Sequence, residues 1–259
     1  MSGPSDVPPG GAAPFQDHFS QTAEAYAAFR PSYPPELADF LASIAPRHDL
    51  AWDCGCGSGQ LAVPLAEHFA RVVATDASAE QLRHAAPHSR VAYHRAAAEA
   101  SALPGAAVDL AVAAQAAHWF DLPAYYAEVR RVARPGAIVA QTVYNLVEVD
   151  AAVDAAVRRF YDRRLAPYWP PERRHVETDY RSIPFPFPRV DAPSFAMRAS
   201  WTLDHFIGYV RSWSGVQRME RALGPGQTEA FRDELAALWG PAGAARAVRW
   251  PLTVRTGRV

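Results

Sequence analysis

The segment Leu50-Ala51-Trp52-Asp53-Cys54-Gly55-Cys56-Gly57-Ser58-Gly59-Gln60 constrains this chain more than any other. A short apolar run enters three alternate glycines and leaves as a helical pattern. Alternate glycines allow positive φ and let a ligand lie against bare backbone. The following helix start offers unpaired N–H groups and a positive dipole end. Doubly wound α/β folds bind nucleosides at such loops, at the carboxyl end of a strand. The flanking sequence fits that architecture. The runs Leu50–Cys54, Val72–Asp76, Arg90–His94, Val108–Ala114 and Ala137–Tyr144 are predicted strands. Gln60–Ala70, Ala79–Ala86 and Asp121–Ala133 carry apolar residues at helical spacing. This alternation predicts a parallel sheet with helices on both faces. Ser78 and Asp121 stand where N-caps belong, Pro64 falls in a first turn, and Pro135-Gly136 closes a helix.

Beyond Tyr144 the texture changes to arginine pairs, aromatics and prolines. Phe195–Trp201 and Arg249–Arg255 are predicted as two more strands, with a helical stretch, Leu203–Trp239, between them, in which Arg211-Ser212-Trp213-Ser214 ends a helix beginning near Leu203. Residues 145–190 and 203–245 are expected to cap the sheet's C-terminal edge within one domain spanning 15–259. Residues 1–14, rich in Gly, Pro and Ala, are expected to form a disordered tail. A hydrophobic fraction of 49% supplies one large core. The formal net charge of −1 gives no global attraction for nucleic acid or an anionic membrane. No apolar run approaches the ~20 residues that span a bilayer. All 26 basic residues are arginine, which reads as coding bias. Cys54 and Cys56, one residue apart, suit neither a four-ligand zinc site nor a disulfide. They are expected to be buried fillers in a cytoplasmic protein with no metal site.

The choice of nucleoside turns on two positions. A dinucleotide fingerprint needs a third glycine three residues after the second, and position 60 holds Gln60. Asp53 would repel a pyrophosphate but suits a ligand bearing an ammonium group. Asp76 ends the next strand about 20 residues on, where a carboxylate accepts ribose hydroxyls. Taken together, Asp-x-Gly-x-Gly-x-Gly resembles the first motif of class I S-adenosylmethionine-dependent methyltransferases. An NAD-dependent oxidoreductase of similar fold is the alternative, disfavoured by Asp53, by Gln60 and by the absence of any Tyr-x-x-x-Lys pair.

Further segments resemble the same family in order. Ala98-Glu99 before Leu103-Pro104 is similar to the segment that meets the adenine edge. Gln115-Ala116-Ala117-His118-Trp119 follows the fourth strand, and Arg134-Pro135-Gly136 precedes the fifth. Tyr26, Arg30-Pro31 and Tyr33-Pro34 resemble the N-terminal elements that close over the cofactor in the small-molecule branch, which includes trans-aconitate methyltransferases. The resemblance implies a Rossmann-like seven-stranded sheet in the order 3-2-1-4-5-7-6, last strand antiparallel, with a helical cap. It implies S-adenosylmethionine contacts from Gly55, Cys56, Gly57 and Gly59 of the loop and from Asp53, Asp76, Ala77 and Gln81 beside it. Ala98, Glu99, Gln115, Ala116 and Trp119 complete that set, with Arg30 gripping the methionine carboxylate and Tyr26, Tyr33 and Trp119 walling the sulfonium.

The partner is expected to be a small-molecule acceptor. A carboxylate is the favoured class, and N-, O- or C-methylation of a natural product is the alternative. Methyltransferases acting on nucleic-acid base amines typically carry Asn/Asp-Pro-Pro-aromatic where this chain has Gln115-Ala116-Ala117-His118, and no basic patch is evident. A non-catalytic cofactor-binding protein fits the same motifs. His118 is the candidate general base, since it can titrate near neutral pH; its alternative role is to orient Trp119. Arg211, Trp213 and Arg218 are candidate substrate contacts. The pairs Arg130-Arg131, Arg158-Arg159, Arg163-Arg164 and Arg173-Arg174 are expected on solvated helix faces, and residues 183–188 are expected to pack cap against sheet.

Overall fold

The computed structural model describes residues 29–259 except Ala242; Tyr26 and the expected N-terminal tail lie outside the described residues. Five parallel strands form the body of the sheet: β1 (Leu50–Cys54), β2 (Arg71–Asp76), β3 (Val91–Arg95), β4 (Val108–Ala114) and β5 (Ala133–Tyr144). Three more follow: β6 (Arg189–Val190), β7 (Phe195–Trp201) and β8 (Arg246–Arg258). The order is β3-β2-β1-β4-β5-β8-β6, with β8 antiparallel to β5 and β7 also paired to β8. β6 and β7 pair with opposite ends of β8, so they form one edge strand interrupted by Asp191-Ala192-Pro193-Ser194. The seven-strand order expected from the sequence therefore holds, with its sixth strand split. Pro193 lies in that gap and cannot donate a ladder bond.

Alternation along the strands sorts their side chains into two cores. Ala51, Val72, Ala74, Leu110, Val112, Ile138 and Ala140 belong to one face, packed with the helices α1 (Pro35–Ile44) and α2 (Ala62–Ala66). Trp52, Cys54, Val73, Ala111, Ala113, Val139 and Val143 belong to the other, packed with α4 (Leu122–Val132) and the segment 176–187. Between these comes α3 (Ala79–Arg83). The Ser78 hydroxyl accepts from Gln81 N–H, and the Asp121 carboxylate accepts from Ala124 N–H, both as N-caps.

Two helices are shorter than their sequence patterns. Pro64 has no N–H to donate back to Gln60, and α2 is a five-residue piece flanked by turns. α3 ends before Pro87, which turns its predecessor away from the helical region. The Arg134-Pro135-Gly136 turn is absorbed into β5 as a register shift between Val108 and Leu110. Asp109, fully buried there, accepts from the backbone N–H groups of Asp49 and Leu50 and from Arg134. This clasp fixes the sheet's lower end, away from the glycine loop.

The cap is built from α5 (Ala151–Arg159), which runs into a π-turn at Phe160–Arg164, then α6 (Arg173–Glu177), α7 (Leu203–Arg211), α8 (Ser214–Leu223) and α9 (Gly226–Trp239). The expected helical stretch Leu203–Trp239 is thus three helices: the first ends at Ser212-Trp213, where a helix end was expected, and the second at Gly224-Pro225. Phe160 stacks on Phe231 with ring centroids 4.0 Å apart, joining the π-turn to α9; such a pair adds about 0.5–1.5 kcal/mol beyond its buried area. Arg130 and Arg131 are exposed, as expected of the pair, and each also has a partner. Arg131 clasps buried Glu128 and the Leu103 carbonyl, and Arg130 covers the Phe187 ring. No helix among the described residues is long and apolar enough to cross a membrane.

Candidate active site

The glycine loop adopts the backbone its sequence requires: Gly55, Gly57 and Gly59 have φ of +69°, +54° and +82°. Gly55 and Cys56 N–H both donate to the Thr75 carbonyl, at 2.8 and 3.0 Å, which seats the loop on the end of β2. Asp76 braces the other side. Its carboxylate accepts from Gly57 N–H at 2.8 Å and from Ser78 N–H at 2.8 Å, so its plane is fixed at the rim of the loop. Ala77 lies between these partners and offers its carbonyl to Arg95.

Asp53 is the unusual member. It is 1% exposed, and among the described residues neither carboxylate oxygen has a hydrogen-bond partner of normal geometry. Burial, then the charge of Asp76, pushes its pKa up to about 7. An acid left bare inside a protein is costly unless something pairs with it. Gln81, buried on α3 beside Gly57, also has an amide oxygen with no partner among the described residues. Cys54 and Cys56 are free, buried thiols, pushed well above their usual pKa chiefly by burial.

The other expected cofactor residues lie in the segments that follow β3 and β4 and in the segment before α1. Ala116, buried after β4, approaches so closely that a Cβ at Gly55 would lie 2.6 Å from its methyl. Gln115, in a left-handed conformation at φ +54°, closes the mouth between β4 and β5. Its amide donates to the Tyr144 carbonyl and accepts from Tyr144 N–H. Ala98 is buried, and Glu99 accepts from Asp121 N–H at 2.9 Å, tying its loop to the start of α4. Tyr33 is buried in the core that contains Cys56. Arg30 donates to the Tyr144 hydroxyl and the Ser212 carbonyl and stands over the Tyr209 ring.

A cavity opens beyond the ends of β4 and β5. Gln115, His118, Trp119, Tyr144 and Asn145 line it from the sheet, and Arg30 from the N-terminal segment. Trp169 and Arg173 line it from the first part of the cap, and Tyr209 and Trp213 from the second. His118 is nearly buried, its Nδ1 2.8 Å from the Tyr180 hydroxyl. Burial first, then the charges of Arg173 and His175, pulls its pKa down to about 3, so the ring is neutral.

Of the three expected substrate contacts, Trp213 lines the cavity and Arg211 does not; Arg211 pairs with Glu229 and Glu220 on the outside of the cap. Arg218 is half-buried on α8 and does not line the cavity. Arg173, expected on a solvated face, lines it instead. Sequence reading also missed Trp169 and Tyr144, whereas Tyr209, which helix spacing put beside Trp213 as either core or an aromatic wall, does line the cavity. The only signal near Arg173 was the Tyr168-Trp169-Pro170-Pro171 run before it.

Comparison with known proteins agrees with this geometry. A family model described as a methyltransferase domain matches residues 52–141, from β1 to β5. A Dictyostelium discoideum protein, provisionally named a methyltransferase, is 35% identical over 212 residues, covering 80% of this chain and 81% of that one. A protein of Mycobacterium tuberculosis, named an uncharacterized methyltransferase, is 40% identical over 121 residues, about half of each chain. A solved structure from Anaeromyxobacter dehalogenans, provisionally assigned as a type II methyltransferase, superposes with a TM-score of 0.83. It is 48% identical and covers 89% of this chain and 98% of that chain.

Proposed function

Because this chain belongs to the class I S-adenosylmethionine-dependent methyltransferases, we propose that it transfers a methyl group from S-adenosylmethionine to a small molecule, with a carboxylate oxygen as the acceptor. The observation that carries the cofactor reading is Asp53: a buried acid with no hydrogen-bond partner of normal geometry among the described residues, at the foot of three left-handed glycines. A ligand presenting both a nucleoside and an ammonium group supplies what this acid lacks; a pyrophosphate does not. When bound, S-adenosylmethionine supplies a methyl group already activated on a positively charged sulfur.

The chain's residues then have the task of positioning. Asp53 faces the ammonium, and Asp76, held by Gly57 and Ser78, accepts the ribose hydroxyls. Ala98 and Glu99, with Gln81, border the base. Tyr33 and Trp119 offer aromatic faces to the sulfonium, and Arg30 offers its fork to the carboxylate end. Tyr26 is assigned to the same wall from sequence alone. Placing an acceptor in line behind the methyl group and excluding water can be worth about 7–11 kcal/mol.

A carboxylate acceptor agrees with two features of the cavity. Arg173 lines it, and a carboxylate needs no base, which suits a neutral histidine already engaged by Tyr180. The buried free thiols suit a reducing cytosol. Calorimetry tests the cofactor: S-adenosylhomocysteine binds and NADH does not, and the reverse result ends the proposal. Release of S-adenosylhomocysteine across a set of small carboxylic acids, amines and phenols tests the acceptor. Turnover of amines or phenols with no acid active refutes the carboxylate.

A further inference from the structure

Three residues that line the cavity carry hydrogen-bond donors for which the described residues supply no acceptor. Arg173 is half-buried and forms no ion pair among the described residues. Its Nε donates to the Tyr161 hydroxyl at 2.6 Å, and that hydroxyl donates to Glu177 at 2.7 Å. The guanidinium lies over the Tyr161 and Trp169 rings, with centroid distances of 5.3 and 4.8 Å. A guanidinium bonded through Nε and stacked on aromatic faces keeps its two Nη groups in plane as a fork. No other hydrogen bond engages them among the described residues. Tyr161 belongs to the π-turn Phe160–Arg164, a distortion that gives its helix an irregular register just where this brace is needed.

Trp169 is the second donor. Its Nε1 is buried and has no acceptor among the described residues. α8 packs against its ring so closely that a Cβ at Gly215 would lie 2.9 Å from it. The indole is therefore held fixed with its N–H unspent, and a buried N–H without an acceptor is costly unless a ligand supplies one.

The third donor is His118. The Ala117 and His118 backbone N–H groups are turned toward the Tyr180 oxygen, which leaves the phenol proton for His118 Nδ1. That bond assigns the ring proton to Nε2. Tyr180 does not line the cavity and His118 does, so Nε2–H is the edge presented to it.

We infer that Arg173, Trp169 Nε1 and His118 Nε2 form a subsite for an anionic oxygen group of the acceptor, a carboxylate or a phosphate. The inference rests on the methyl-transfer reading and deepens it: His118 acts as a fixed donor that positions the acceptor and takes no proton from it. A carboxylate has about four lone-pair sites. Donors on one oxygen leave the other to be presented toward the sulfonium.

The test uses the full-length protein saturated with S-adenosylhomocysteine, titrated with benzoate, phenyl phosphate, benzyl alcohol and benzylamine. Intrinsic tryptophan fluorescence and calorimetry report binding. The expected result is binding of benzoate or phenyl phosphate at least about 10-fold tighter than the alcohol and the amine. The tighter of the two anions identifies the group. Arg173→Gln weakens that anion about 10- to 100-fold, the loss expected of a charge-assisted pair. Trp169→Phe, which keeps the ring and removes the N–H, weakens it less, and both variants bind S-adenosylhomocysteine as the wild type does. Nitrogen-15 shifts of His118 report the Nε2–H tautomer from pH 5 to 8. Equal binding of all four probes, binding of none, or an Arg173→Gln protein with undiminished anion affinity overturns the subsite. Failure of the wild type to bind S-adenosylhomocysteine overturns the methyl-transfer reading beneath it, and the two failures are distinguished by that first titration.

Discussion

The Nδ1 of His118 lies 2.8 Å from the hydroxyl of Tyr180, a residue 62 positions away, and both side chains are buried. This contact joins the mouth of the sheet to the cap. Asp179 and Tyr180 both adopt left-handed backbone, at φ +50° and +60°, a conformation costing on the order of 1–3 kcal/mol per non-glycine residue. Hydrogen bonds from Tyr180 N–H to the His175 carbonyl and from Arg255 to the Tyr180 carbonyl hold the strained turn in place.

Tyr180→Phe preserves the ring and removes the hydroxyl. It leaves a buried ring nitrogen without a partner, a loss of about 1–3 kcal/mol, and it releases the tautomer. Urea unfolding is expected to show that loss, and nitrogen-15 spectra are expected to show His118 as a mixture of Nδ1–H and Nε2–H forms. An unchanged tautomer in the variant would mean that Tyr180 does not select it.

Two buried groups push stability in opposite directions with pH. His118 has a folded pKa of about 3 against an ordinary value of 6.5. The unfolded chain takes up its proton first, so this contribution is complete above pH 6.5 and is lost progressively toward pH 3. Asp53 has a folded pKa of about 7 against 3.8. The folded state holds its proton longer, so its contribution is complete below pH 3.8 and is lost as pH rises to 7. Each slope is about 1.4 kcal/mol per pH unit at most, and the windows overlap between roughly pH 4 and 6.5. The ligand-free wild type is expected to have a nearly flat melting temperature there. His118→Gln leaves the Asp53 slope, with stability falling as pH rises, and Asp53→Asn leaves the opposite slope. Melting curves at half-unit steps decide it, and parallel profiles for the three proteins refute the assignment of these two groups.

The parts of the fold that follow periodic rules were legible in the sequence. Five strands, the Ser78 and Asp121 caps and the glycine loop all express local chemistry, a period of two or a required positive φ. The cap was less legible. Arg173 sits on a five-residue helix with no apolar period, and its place in the cavity depends on Tyr161 from a π-turn and Trp169 from an irregular loop. Arg130 and Arg131 are the solvated pair that the sequence suggests, and what it does not show is the Phe187 ring that a distant segment brings beneath Arg130. The split edge strand escaped because two residues, Arg189 and Val190, are too few to show alternation. The break at Gly224-Pro225 did carry a signal, a dipeptide that punctuates helices.

Asp53 also links cofactor binding to protons. Near pH 6 a group with a pKa of about 7 is mostly protonated, and an ammonium placed beside it favours the charged form. Binding of S-adenosylhomocysteine at pH 6 is therefore expected to release most of one proton, read as different calorimetric enthalpies in buffers of different ionisation heat. Release falls toward zero at pH 8, where the acid is already charged. Asp53→Asn abolishes the release and weakens binding about 10-fold or more, while leaving the ligand-free protein at least as stable at pH 7, because an unpaired buried charge is gone. Proton release that persists in the variant assigns it to another group.

Gly55→Ala separates two reasons for the glycine. Alanine in a left-handed conformation is strained by about 1–2 kcal/mol, and here its methyl also meets Ala116 at 2.6 Å and Phe120 at 3.0 Å. Overpacking of that kind adds about 1–3 kcal/mol and displaces the segment leading to His118 and Trp119. The single variant is expected to lose stability by both routes and to bind S-adenosylhomocysteine at least 10-fold more weakly. Adding Ala116→Gly removes one of the colliding methyls but not the backbone strain, so the double variant regains part of the affinity and part of the stability. Contacting residues show such coupling, and independent ones add. A double variant no better than Gly55→Ala would leave backbone conformation as the whole reason for glycine at this position.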